Sequence, residues 1–140
     1  MLLEAELVIE LEVELGEVQE VGSTPKGFLR LIPITGGTFS GPNIKGRILP
    51  GGYDWNTTLS DGTAHVLAKY AVQTDDGVCI SIENEGVLGA EAEQHVIKTT
   101  PRFQVADGKY DWLRSGVFVG GLEAGRSEMP SVCIKIYKLR

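Results

Sequence analysis

"AHVLAKYAVQTDDGVCISIENEG", residues 64–86, decides how this chain folds. Two runs of alternating apolar and polar residues flank Asp75-Asp76-Gly77. Alternation with period two marks half-buried β-strands, because successive side chains point to opposite faces. A three-residue loop with Gly77 in the left-handed region pairs Thr74 with Val78. Val72 then faces Ile80, Tyr70 faces Ile82 and Ala68 faces Asn84. On this register Val66, Ala68, Tyr70, Val72, Val78, Ile80 and Ile82 share one face, and Lys69 stands opposite Glu83 on the other. A two-residue turn mixes the faces, so the longer loop is preferred. Tyr70 and Asn84 become polar groups on a buried face, where each needs a partner.

Outward from the hairpin, the strongest pattern is at the start. Odd positions from Leu3 to Leu15 are apolar, and Glu4, Glu6, Glu10, Glu12 and Glu14 fill most even ones. One strand of that length would reach ~45 Å, so a bend or bulge that splits it is expected. The last run, "SVCIKIYKLR" (131–140), offers Lys135, Lys138 and Arg140 to this glutamate row while Ile134 and Ile136 face inward. Pairing first strand with last closes the sheet and removes both exposed edges. Runs at 27–34, 43–49, 53–59 and 115–121 read as further strands. Helix is confined to a turn or two within 87–95 and a short turn over 107–115 capped by Asp107. No repeat, linker or composition shift divides residues 1–140. The pattern predicts an all-β chain, one single antiparallel β-barrel domain with little helix.

Composition narrows the function. The formal charge is −6 and no Lys/Arg run occurs, which argues against nucleic acid as a partner. No apolar stretch approaches a membrane span, and "MLLEAELVIE" lacks a secretory n-region, so a cytoplasmic protein away from the membrane is expected. Cys79 and Cys133 lack CxxC spacing and read as reduced thiols.

The glycine-rich stretch "GGTFSGPNIKGRILPGGYDW" (36–55) invites a phosphate-loop reading and fails it. Gly36 and Gly41 have the spacing, but Pro42-Asn43 stand where Lys-Ser/Thr is required, and no helix follows. His65 and His95 have no partner at ligand spacing, so no metal site is expected. No GxSxG occurs, and Cys79 faces outward without a base. An aromatic and acid–base set remains: Tyr53, Asp54, Trp55, Tyr70, Asn84, Arg102, Tyr110 and Trp112. Parity groups Trp55 with Tyr53, Thr57 and Leu59, and this aromatic face is expected to be the interior one. Asp54 then points the opposite way, unless the bend at Pro50-Gly51-Gly52 lifts it to a rim. An inward Arg102 would need an acid or an anionic ligand.

Three stretches, "GGTFSGPNIKGRILPGGYDW", "DGTAHVLAKYAVQTDDGVCISIENEG" and "TTPRFQVADGKYDWLRSGVFVG", resemble the successive signatures of the domain-of-unknown-function family 3237. The likeness covers nearly the whole chain. It departs at Arg114, where the family usually has Asn, and at His95–Lys98, where an aromatic pair is common. The resemblance implies a barrel similar to the allene oxide cyclase and dirigent type, whose members include cofactor-free cyclases. It implies that Asp54, Trp55, Tyr70, Asn84 and Arg102 line a site.

The resemblance, with these residues on a face that should be buried, implies a cofactor-free lyase, isomerase or cyclase that takes a small hydrophobic or anionic ligand. Asp54 is the acid/base, Arg102 or Tyr70 stabilises developing charge, Trp55 is the apolar wall, and Tyr53, Asn84 and Trp112 complete the ligand contacts. The alternative is a non-catalytic binding or assembly module that uses its acidic outer face. A homodimer is expected in either case.

Overall fold

Closure of the sheet follows from the two ends of the chain. A computed structural model describes residues 1–90 and 96–140. The first strand, β1 (Ala5–Leu15), pairs antiparallel with the last, β10 (Ser131–Leu139), and with β3 (Gly27–Ser40) on its other side. The ring continues from β10 through β9 (Phe118–Ala124), β8 (Ile97–Gln104), β7 (Cys79–Leu88) and β6 (Ala64–Thr74). It returns to β3 through β4 (Lys45–Ile48) and β5 (Gly52–Thr58). β4 and β5 are two pieces of one wall position, interrupted at residues 49–51, so the closed antiparallel barrel has eight staves. β2 (Gln19–Thr24) extends β1 and pairs with the first half of β3. Among the described residues no helix is long and apolar enough to cross a membrane.

The β6–β7 hairpin has the register that its sequence predicts. Gly77 has φ +91°, Thr74 N–H donates to the Val78 carbonyl at 2.9 Å, and Tyr70, Val72 and Ala68 face Ile82, Ile80 and Asn84. The first strand splits as expected. One irregularity lies between Leu7 and Ile9, and the strand breaks before Gln19. The irregularity reverses the faces, which corrects the expectation for the outermost residues. Ile9, Leu11 and Val13 are buried, whereas Leu3 and Leu7 are exposed and Val8 packs on the core. Glu6 and Glu10 stand opposite Lys138 and Lys135, and Arg140 bonds Glu6 at 2.6 Å.

Other boundaries shift by a few residues. β3 continues past the predicted 27–34 to Ser40, because the bulge near Gly36 lets one strand serve two neighbours on each edge. The short helix is a 3₁₀ turn, Asp111–Arg114, and Asp107 does not cap it. Asp107 instead bonds the Arg114 guanidinium at 2.8 Å. Of the segment 87–95, where the sequence predicts a helical turn or two, Val87 and Leu88 end β7, and residues 91–95, with His95, lie outside the described residues.

Gly37 shows why the stretch from 36 to 55 is rich in glycine. Its φ is +126°, and a Cβ there would overlap the Glu12 carbonyl oxygen of β1. Close approach of β3 to β1 at the closing seam therefore depends on the missing side chain. Gly37→Ala is expected to lower stability by about 2 kcal/mol or more, read as a shift in the urea midpoint. An unchanged midpoint would mean that the seam tolerates a Cβ.

Candidate functional site

Directly opposed residues in a sheet share a face, so the register sorts the interior. One row of facing residues runs Arg30, Asn56, Val66, Gly86, Thr99, Gly120 and Ile136. The next runs Ile32, Asp54, Ala68, Asn84 and Pro101, and a third contains Tyr70, Ile82 and Phe103. Tyr70, Ile82, Val66, Ala68 and Asn84 are buried, so these rows line the inside of the barrel. The wall made by β1 and β10 presents Ile9, Leu11, Val13, Ile134 and Ile136. The interior thus has an apolar side and a side spotted with polar groups.

Four of those polar residues carry a buried atom with no hydrogen-bond partner among the described residues. Arg30 Nε, Tyr70 Oη, Asn84 Oδ1 and Thr99 Oγ1 are buried without a hydrogen bond. Leaving one such group unbonded costs about 1–3 kcal/mol, so four on one wall point to a site kept for something other than stability. Two glycines make room for Thr99: a Cβ at Gly86 would approach its Cγ2 at 2.9 Å, and one at Gly120 would overlap its Oγ1. Arg30 Nη2 donates to Asn56 Oδ1 at 3.3 Å.

Asp54 accepts a hydrogen bond from Leu67 N–H at 3.2 Å. Burial holds its carboxyl above the ordinary aspartate range, against the opposing effect of that bond and the nearby His65. Burial likewise pushes the Tyr70 phenol up, so it stays protonated. Asp54 and Asn84 lie in one row two strands apart, roughly 10 Å. Tyr70 is one row along from Asp54 and Arg30 one row the other way, so the set spans roughly 13 Å. That is the scale of a small ring-containing molecule.

The site residues expected from the sequence separate into three groups. Asp54, Tyr70 and Asn84 come together on the inner wall. Tyr53 and Trp55 do not: they pair with Lys69 and Leu67, their rings lie 6.0 Å apart on the outer face, and Trp55 is 40% exposed. This corrects the inward reading of Trp55 and the outward reading of Asp54. The error has a physical cause. Apolar parity marks the buried face only when the interior is apolar, and on β5 the interior positions are Asp54 and Asn56. Arg102 is also on the outer face, exposed and opposite Glu83. Trp112 packs near Phe118 and lines a groove of about 750 Å³ at the rim beside Asp75 and Asp76. At that rim Asp76 accepts bonds from Thr74 at 2.5 Å and Tyr110 at 2.7 Å, which tie the 3₁₀ segment to the hairpin tip. His65 is on the outer face and bonds Glu85 at 2.9 Å.

Arg30, Asn56 and Thr99 are missed by sequence reasoning. Parity within β3 was the available signal: Arg30 shares the face of Ile32 and Ile34, and Ile34 is buried.

Comparison with known proteins places this barrel. The family model described as a protein of unknown function, DUF3237, matches residues 3–139. The chain belongs to that family. A UPF0311 protein from Rhodopseudomonas palustris is 33% identical over 132 residues, covering 84% of this chain and 86% of the relative. A crystal structure from the same species, of a conserved protein of unknown function, covers 100% of this chain and 99% of its own at 29% identity, with a TM-score of 0.89. A β-barrel-like protein from Acinetobacter baumannii, 33% identical, has the same TM-score over 100% of this chain and 98% of its own. A shorter match, 32% over 82 residues, covers 59% of this chain and 49% of the hydroalkoxylation enzyme phnH of Penicillium herquei.

Asp54 sets a pH-dependent test. Its folded pKa is raised, so the folded state favours the protonated form. The aspartate therefore costs stability progressively as pH rises above about 4, where the unfolded chain ionises. Asp54→Asn is expected to be more stable than wild type at pH 7.5, with the gap closing towards pH 4, measured by urea midpoints. Tyr70→Phe removes an unbonded hydroxyl and is expected to change stability by less than about 1 kcal/mol in the same measurement, a larger loss meaning that the hydroxyl is bonded.

Proposed function

We propose that the inner wall is a small-molecule site for cofactor-free proton-transfer chemistry, of the lyase, isomerase or cyclase kind, with Asp54 as the acid/base. The observation that carries this reading is a carboxyl with raised pKa facing inward among unbonded buried hydroxyl and amide groups, opposite an apolar wall. The distant relative that is named a hydroalkoxylation enzyme supports the same class. Adding a hydroxyl across an alkene within one molecule yields an isomer and requires no redox partner. The protonated Asp54 carboxyl delivers its proton to one alkene carbon, the hydroxyl oxygen bonds the other, and the hydroxyl proton returns to the carboxylate. Tyr70, one of the two residues expected to stabilise developing charge, would hold the oxygen together with Asn84, while Arg102 faces the other way. Residues 1–140 act as one domain in this reading.

The test uses 2-prenylphenol and related ortho-alkenyl phenols, with the ring-closed isomer followed by chromatography. Conversion by wild type is expected, and Asp54→Asn is expected to be slower by about 10²-fold or more. Equal rates for the two proteins would remove Asp54 from the mechanism.

This reading takes the protein to be cytoplasmic, and its outer face favours a homodimer. Tyr53 and Trp55 lie there beside Leu31 and Leu67, a solvent-facing apolar cluster. Sedimentation velocity at micromolar concentration is expected to give a dimer for wild type and a monomer for Trp55→Glu; a monomeric wild type would end this reading.

A further inference from the structure

Arg30 is a cation on the inner wall that the protein leaves incompletely satisfied. It faces Asn56 on β5 and Glu20 on β2. Its Nη2 bonds Asn56 Oδ1 at 3.3 Å, while its Nε is buried and unbonded. Glu20 is exposed and, like Asp54, makes no ion pair with it among the described residues. Besides the exposed Glu20 opposite Arg30, Asp54 is the acidic residue that register puts beside it on this wall among the described residues, and the carboxyl of Asp54 is itself biased towards its neutral form. A guanidinium cannot respond to burial in that way, because it does not deprotonate in proteins.

The unbonded Nε–H and one of the two Nη2–H bonds lie along one edge of the planar guanidinium, and Nη2 has a second N–H with which to hold Asn56. Side by side they form the two-pronged fork that matches the two oxygens of a carboxylate. We propose that Arg30, held by Asn56, binds the carboxylate of a small aromatic or apolar acid whose body lies across the inner wall towards Asp54 and Tyr70. The assignment rests on the interior site proposed above and names the substrate class for it: a compound whose anionic end is anchored one row, roughly 7 Å, from the proton-transfer group. It also transfers to Arg30 the anion-binding part that the sequence suggested for Arg102, which faces the opposite way.

Isothermal titration with benzoate and with its neutral isostere benzamide tests this. Benzoate is expected to bind wild type, with benzamide at least tenfold weaker. Arg30→Gln is expected to lose benzoate binding at least tenfold. Arg30→Lys, which keeps the charge but not the fork, is expected to fall at least tenfold as well. Arg102→Gln on the outer face is expected to bind as wild type does. Thermal melts accompany each variant, so that a lost affinity is read on folded protein. No benzoate binding at 10 mM or below, roughly the weakest affinity worth assigning, overturns the proposal. So does benzamide binding equally well, an unchanged affinity in Arg30→Gln, or a loss in Arg102→Gln. Two outcomes separate the readings: Arg30-dependent benzoate binding by a wild type that converts no alkenyl phenol, or by an Asp54→Asn variant that converts it as fast as wild type, sinks the acid/base reading and leaves the anchor standing.

Discussion

Pairing of the first strand with the last is the constraint on which the rest depends. Leu11 faces Ile134 and Ile9 faces Ile136, and the four are almost completely buried. Without that seam the sheet is an open, twisted surface with two free edges. With it, one face of every stave becomes an enclosed interior, and a residue's parity becomes a statement about solvent. Glu10, Glu12 and Glu14 are the outer side of the same seam, whereas Glu6, beyond the irregularity, lies at the rim opposite Lys138. Glu10 and Glu14 face Lys135 and Ser131, and Glu12 accepts bonds from Ser131 and from the Arg126 and Ser127 amides of the β9–β10 connection. An acidic stripe that looks like a docking face in the sequence is largely occupied in holding the barrel closed.

The interior divides its labour between two walls. β1 and β10 contribute close-packed aliphatic side chains, which supply the hydrophobic driving force. β3, β5, β6, β7 and β8 carry Arg30, Asp54, Asn56, Tyr70, Asn84 and Thr99, several of them with unmet hydrogen-bonding capacity. Such groups weaken the free fold, and a stability-optimised barrel would replace them with Leu, Val or Phe. Their concentration on adjacent staves, in successive rows, is what separates this wall from ordinary imperfect packing. The same rows explain two glycines without turn geometry, since Gly86 and Gly120 leave the space that the Thr99 side chain takes.

Much of the architecture was legible in the chain, and for an identifiable reason. The β6–β7 register follows from a three-residue loop and local alternation, so Tyr70 and Asn84 could be assigned to the buried face. The seam followed from two matching patterns at the chain ends. What was misread lies on β5. Its alternation, Tyr53-Asp54-Trp55-Asn56, has the aromatic residues on one parity, and hydrophobicity alone sends them inward. The partners of β5 send them outward: Asp54 faces Ile32 and Ala68, and Trp55 faces Leu31 and Leu67.

The sequence by itself determined most of the strands, though not β2 or β8, and with them the hairpin loop, the closing pair of strands and the presence of polar groups on a buried face. These rest on periods of two and on turn residues, which act over a few positions. The tertiary structure decided which polar groups meet. Arg30, Asp54, Asn84 and Thr99 come from four different strands, and their shared interior depends on the register of each strand with its neighbour. It depends also on the interruption at residues 49–51 and the bulge near Gly36, which set how far one stave slides past the next. A one-residue slip at any of those points would turn a side chain from the interior to the solvent, and no local pattern on β5 or β3 reports which way it went.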